Sequence, residues 1–217
     1  MEPRRFWVRE PFSGISHLVG AILSVVGFMA LLILARGKPL HTVGFAIYGV
    51  SLILLYSASA LYHSLPVSER HLDGLQRLDH SAIFLLIAGT YAPVCLVLLR
   101  GAWGWSLLTA EYVLAALGIV SVIAFKSRPD WLRVVLYLGM GWLALIALPA
   151  LQAILSGAAM AWLLGGGILY TLGTVVYATD RPRLWPGRFG PHDLWHLFVM
   201  GGSACHFALM LSIVSAG

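Results

Sequence analysis

Apolar runs of about 20 residues recur along the chain, separated by short polar stretches. A hydrocarbon core of about 30 Å is crossed by about 20 helical residues, so each run is long enough to span a bilayer. The runs fall at 14–35, 42–64, 79–99, 104–125, 132–154, 158–178 and 192–214. This pattern predicts an all-α membrane protein, a bundle of seven transmembrane helices. Backbone polar groups facing lipid must find partners within their own segment, which makes each span a helix. With loops this short, residues 1–217 read as a single seven-helix domain. Only Lys126 to Trp131 separate the fourth run from the fifth, and a single long hairpin there is where the number of spans would change.

Composition agrees with this reading. The chain is 59% hydrophobic and 11% charged, with a mean hydropathy of +0.86. A soluble domain typically carries about 25% charged residues, because its surface faces water. The net charge of +5 could suggest a polyanionic partner. The basic residues, however, lie in loops between apolar runs rather than in one patch, so they speak for topology and against nucleic acid. With the N-terminus in the cytoplasm, the inner side holds Arg4, Arg5, Arg9, Arg70, Arg77, Lys126, Arg128, Arg133, Arg181, Arg183 and Arg188. Only Arg36, Lys38 and Arg100 remain outside, and seven spans then put the C-terminus outside too. The expected location is the plasma (inner) membrane, with multiple passes. Glu2 and Glu10 interrupt the basic N-terminal region, and the apolar run after it is too long for a signal peptide. Cys95 and Cys205 fall inside apolar runs with no paired spacing and read as small buried hydrophobes. Trp7, Trp103, Trp131 and Trp185 sit where interfacial anchors belong.

Ionisable groups inside membrane segments are costly and usually functional. Topology gathers several of them at one depth. His192 and His196, four apart in the seventh span, share a helix face one turn apart. His63 lies at the inner end of the second span, Asp79 at the inner start of the third, and Ser16 and His17 at the inner start of the first. Three histidines with a fourth position open to water describe a catalytic-type zinc site. Asp79 is then placed to act as general base, and Ser59, sharing a face with His63, to orient the base or a substrate. The same three histidines could instead hold a structural or sensory zinc that pins helices together. A third possibility is that no metal binds.

The remaining polar residues carry less. His206, near the middle of the last span, reads as a hydrogen-bonded core histidine; His80 points away from Asp79; His41 and His71 read as loop residues. Glu111 lies in the outer half of the fourth span, away from the cluster, where it would line a cavity or pair with a hydroxyl. Tyr91-Ala92-Pro93 predicts a kink in the third span. Small residues at Gly139 with Gly141, Gly165–Gly167 and Gly201–Ser203 predict close helix approach.

Four pieces taken together, Ser16-His17, Ser59-Ala-Leu-Tyr-His63, Arg77-Leu-Asp79-His-Ser-Ala-Ile83 and His192-Asp-Leu-Trp-His196 followed by His206, resemble the hemolysin III family. That family is the bacterial branch of the progestin and adipoQ (adiponectin) receptors, and the resemblance covers nearly the whole chain. It implies seven helices, a cytoplasmic N-terminus, zinc held by His63, His192 and His196 near the cytoplasmic side, and Asp79 and Ser59 close to the metal. The family's grouping with membrane hydrolases such as alkaline ceramidases implies a zinc-dependent hydrolase of a lipid amide or ester, with a membrane lipid as substrate or ligand. A membrane or lipid-state sensor with structural zinc, a transporter, and the pore-forming cytolysin of the family name are the alternatives. Uniformly apolar helices, with no polar stripe to line a wide pore, argue against the last.

Overall fold

In the computed structural model, residues 8–125 and 130–215 are described. Arg4, Arg5, Trp7, Lys126 and Arg128, which the topology argument used, lie outside them. The helices are α1 Pro11–Leu34, α2 Pro39–Ser64, α3 Glu69–Pro93, α4 Gly101–Ala124, α5 Asp130–Trp142, α6 Leu148–Ile154, α7 Gly157–Thr179 and α8 Pro191–Val214. A π-helical segment, Val94–Leu99, continues α3, and a 3₁₀ segment, Leu143–Ala147, joins α5 to α6. The described residues thus hold seven spans long and apolar enough to cross a membrane, with α5, the 3₁₀ turn and α6 together making the fifth. The fourth and fifth spans, Gly101–Ala124 and Trp131–Ile154, are therefore separate.

Proline sets several starts. Pro11, Pro39 and Pro191 each occupy the first helical turn, where a missing N–H costs nothing. Pro39 starts α2 early enough to include His41, which is a buried helical residue rather than a loop one. Proline also sets an end: Leu65 precedes Pro66 and is extended (ψ 124°), so α2 stops immediately after His63 and Ser64. α3 starts at Glu69 instead of 79. Its extra turns are polar, with an Asp73–Arg77 pair at 3.1 Å, so they were invisible to a reading that searched for apolar runs. His71 belongs to that extension and bonds the Ser68 hydroxyl at 2.8 Å.

The kink expected at Pro93 takes the form of the π-helical segment that follows it. Where α5 loosens into the 3₁₀ turn, the Tyr91 hydroxyl stands in for the broken ladder. It donates to the Met140 and Gly141 carbonyls (2.8 and 3.1 Å) and accepts from the Ala144 N–H at 2.8 Å.

α1 packs mainly on α2, α2 on α3, and α7 on α8, while α1 closes the ring against α8. Phe45, Tyr48 and Leu209 are buried between them, and Phe84 is buried between α3, α4 and α5. The outward side of α1, at Ile22 and Val26, is about 60% exposed, as a lipid-facing surface requires. At one end of the bundle, Lys38 Nζ donates to the Val214 carbonyl at 2.7 Å, tying the α1–α2 loop to the end of α8. At the other, α2 ends beside the starts of α1 and α8.

A cavity of about 110 Å³ lies between α2, α3, α5, α7 and α8. A second, of about 50 Å³, shares Tyr91, Gly141 and His206 with it and extends to Leu148 and Leu151.

Candidate metal centre

Each histidine reaches the centre by a different local device. His63 is carried by the last turn of α2, and His192 and His196 by the first two turns of α8. One ring nitrogen from each of the three lies within 4.8 Å of the other two, a cluster that could hold a metal ion. The rings crowd at centroid separations of 5.1 Å (His63–His192), 4.7 Å (His63–His196) and 4.9 Å (His192–His196).

Two observations show that the donor set fits a metal. His63 Nε2 and His196 Nδ1 are buried without a hydrogen-bond partner among the described residues, a costly state for polar atoms. His192 Nε2 and His196 Nε2 stand only 3.1 Å apart. Two neutral imidazoles can share one proton there, or both can turn lone pairs to a cation. Imidazole donors suit zinc, copper, iron or nickel.

Asp79 and Ser59 are both buried, at 4% and 2% exposure, and Ser59 lies close to the Asp79 carboxylate. Asp79 is also within electrostatic range of His63. Both residues line the end of the larger cavity nearest His17, and its walls are otherwise mainly apolar. His17 lines the same end. Its ring lies 3.8 Å from that of His196, and neither of its nitrogens has a hydrogen-bond partner among the described residues.

The other candidates fall elsewhere. His206 Nε2 approaches the Leu163 carbonyl at 3.4 Å from a position on the cavity wall, as a core histidine would. His80 faces away from Asp79, with Nδ1 2.5 Å from Arg133. Glu111 is fully buried and neither lines these cavities nor meets a hydroxyl; its carboxylate oxygens have no hydrogen-bond partner among the described residues. Cys95 and Cys205 are free thiols, one buried and one half-buried.

Sequence reasoning gave no role to the residues just before α1 and around its first turn. Glu10 Oε2 lies 2.5 Å from His63 Nδ1, and the Glu10 N–H donates to the His63 carbonyl at 2.9 Å. The hydrogen bond from His63 holds the Glu10 carboxyl below its ordinary range, and wins over the partial burial that pushes the other way. The Ser13 hydroxyl donates to Asp193 Oδ1 at 2.8 Å, while Asp193 Oδ2 accepts the Gly190 N–H at 2.9 Å and so caps the first turn of α8, which carries His192. One signal was available: Ser13 and His17 are four apart and share a face of α1.

Residues 6–207 match the family described as "Haemolysin-III related". The chain is similar to the Hemolysin-3 homolog of Bacillus subtilis, 42% identical over 209 residues, with 95% of each chain covered. It is also similar to Hemolysin-3 of Bacillus cereus, 42% identical over 214 residues, covering 97% of this chain and 94% of that one. A more distant relative is the human Monocyte to macrophage differentiation factor, 26% identical over 165 residues, covering 74% and 66% of the two chains.

Proposed function

The chain belongs to the haemolysin-III-related family of multi-pass plasma-membrane proteins, and from that premise we propose that it is a zinc-dependent hydrolase of a lipid amide or ester. One observation carries the reading. The Asp79 carboxylate and Ser59 hydroxyl stand together at the polar end of a mainly apolar cavity, beside the three-histidine cluster. An acid–base pair next to a metal centre, at the foot of an apolar chamber, is what hydrolysis of a lipid headgroup linkage requires.

Zinc bound by His63, His192 and His196 would supply Lewis acidity toward the scissile carbonyl. Asp79 takes the proton of the attacking water and returns it to the leaving nitrogen or oxygen. Ser59, beside Asp79 on the cavity wall, orients the base or the substrate. The apolar walls hold the acyl chain and exclude bulk water. At about 110 Å³ the chamber is smaller than the roughly 300–1,000 Å³ of most small-molecule pockets. Lipid entry therefore requires helices to part, and the loosened α5–3₁₀–α6 span beside both cavities is the place for it. A chamber this narrow and this apolar weighs against an aqueous pore.

The test is Asp79→Asn. In purified protein, zinc content by mass spectrometry stays near one per chain in both forms, while hydrolysis of a panel of ceramides and acyl lipids is lost from the variant. Loss of a general base costs roughly 10²–10⁴-fold in rate. Equal turnover in the variant would refute the role of Asp79. Zinc in both forms with turnover in neither would favour the structural reading, in which the ion fastens α2 to α8.

A further inference from the structure

Glu10 lies outside every membrane span, yet its side chain reaches one of the three clustered histidines. His63 has two ring nitrogens: Nδ1 sits against the Glu10 carboxylate at 2.5 Å, and Nε2 is buried and unpartnered. A carboxylate accepts only, so Nδ1 carries the proton and the free lone pair of the neutral ring is on Nε2. Glu10 is itself fixed at several points. Its N–H bonds the His63 carbonyl at 2.9 Å, and its Oε1 pairs with Arg9 at 3.2 Å. Arg9 in turn donates to the Tyr62 carbonyl at 2.8 Å and stacks over the Tyr62 ring, 4.6 Å from its centroid. From the next turn, the Ser13 hydroxyl reaches Asp193, which caps the helix bearing His192 and His196.

We infer that residues 9–13 form a strap across the three-histidine centre, and that Glu10 is a positioning residue: it fixes the ring and tautomer of His63 so that Nε2 faces the metal. The inference rests on the proposed metal at His63, His192 and His196. A ligating histidine is commonly oriented by a carboxylate on its other nitrogen, and removing that partner typically weakens metal binding about 10–100-fold. Here the carboxylate comes from another element, so metal affinity depends on how the N-terminal strap is seated. A change that pulled residues 9–13 off α2 would release His63 without touching a ligand.

The experiment uses the full chain in detergent, stripped of metal and titrated with Zn²⁺ against a competing chelator and with Co²⁺ for its visible absorption. Wild type, Glu10→Gln, Glu10→Asp and Arg9→Gln are compared, each with the melting temperature of the metal-free protein. Glu10→Gln is expected to weaken Zn²⁺ about 10–100-fold and to alter the Co²⁺ spectrum. Glu10→Asp, which keeps the charge one methylene further back, should fall between; it also serves should the glutamine variant not fold. Arg9→Gln removes the ion pair to Glu10 Oε1 but leaves the carboxylate and the main-chain bonds from residues 9 and 10 to Ser64 and His63, so the strap stays seated and affinity should stay within a few-fold of wild type. Wild-type affinity and spectrum in both Glu10 variants would overturn the inference. So would an equal loss in Arg9→Gln tracking a fall in metal-free stability, because the strap would then be mere packing. Wild type that binds neither ion would sink the metal reading itself, which is a different failure.

Discussion

Apart from His41 and His71, the histidines of α1, α2, α3 and α8 divide by what each ring meets. His63, His192 and His196 meet one another, His80 meets Arg133, His206 meets a main-chain carbonyl, and His17 packs against the His196 and Tyr56 rings. His192→Ala or His196→Ala is therefore expected to abolish metal retention, while His206→Ala keeps it, as mass spectrometry of the purified variants would show. Chelation should lower the melting temperature of the wild type and of His206→Ala but leave the other two unmoved, because a ligand stabilises only a protein that binds it. The i, i+4 spacing of His192 and His196 was legible in the sequence, as was the depth shared by His63 and Asp79, because helix geometry and bilayer thickness fix both. Glu10 was not. It partners a residue 53 positions away, and neither a helix period nor a hydropathy profile records which loop folds back over which helix end.

Spans were legible at the scale of elements because apolar length determines them, while departures from regular helix were less so. Pro93 announced a kink in α3, but the 3₁₀ turn at Leu143–Ala147 sits in an unbroken apolar run, and its Ala144 N–H bonds Tyr91 of another helix. Glycines show the same divide. Gly166 and Gly202 do bring α7 and α8 together, against His206 and Tyr170. Gly139 and Gly141, expected to pack likewise, have nothing within 4 Å of an added Cβ, and Gly141 borders the cavities instead. Gly104 was not singled out, yet a Cβ there would lie 2.3 Å from the Cys95 carbonyl in the π-helical segment. Backbone cannot rotate away as a side chain can, so Gly104→Ala should destabilise by about 1–3 kcal/mol. Gly139→Ala should be neutral or stabilising by about 0.5–1 kcal/mol, the helix propensity gain alone. Thermal melts of the two variants against wild type decide this, and equal effects would mean α4 does not press on α3 as described.

For the whole molecule, the decisive question is which side of the membrane the metal centre faces. The contacts divide the loops into two ends. One end gathers the start of α1, the end of α2 and the start of α8, with Arg77 of α3 reaching the Ile123 carbonyl near the end of α4. The opposite end holds Lys38 against Val214. Among the described residues, Arg9, Arg70, Arg77, Arg133, Arg181, Arg183 and Arg188 fall on the first side and Arg36, Lys38 and Arg100 on the other, and cationic loops resist translocation, so the first side should be cytoplasmic. Single cysteines at Arg36 and Arg70, both exposed, test this in a background with Cys95 and Cys205 replaced by alanine. A membrane-impermeant maleimide added to intact cells should label Arg36→Cys and spare Arg70→Cys, and permeabilised cells should label both. With that result, Asp79 and the three histidines lie within reach of cytosolic metal and protons, and a lipid reaching the cavity does so from the cytoplasmic leaflet. The reverse pattern would put the strap of residues 9–13 and the whole centre on the outer face, and the lipid hydrolysed would have to come from the other leaflet.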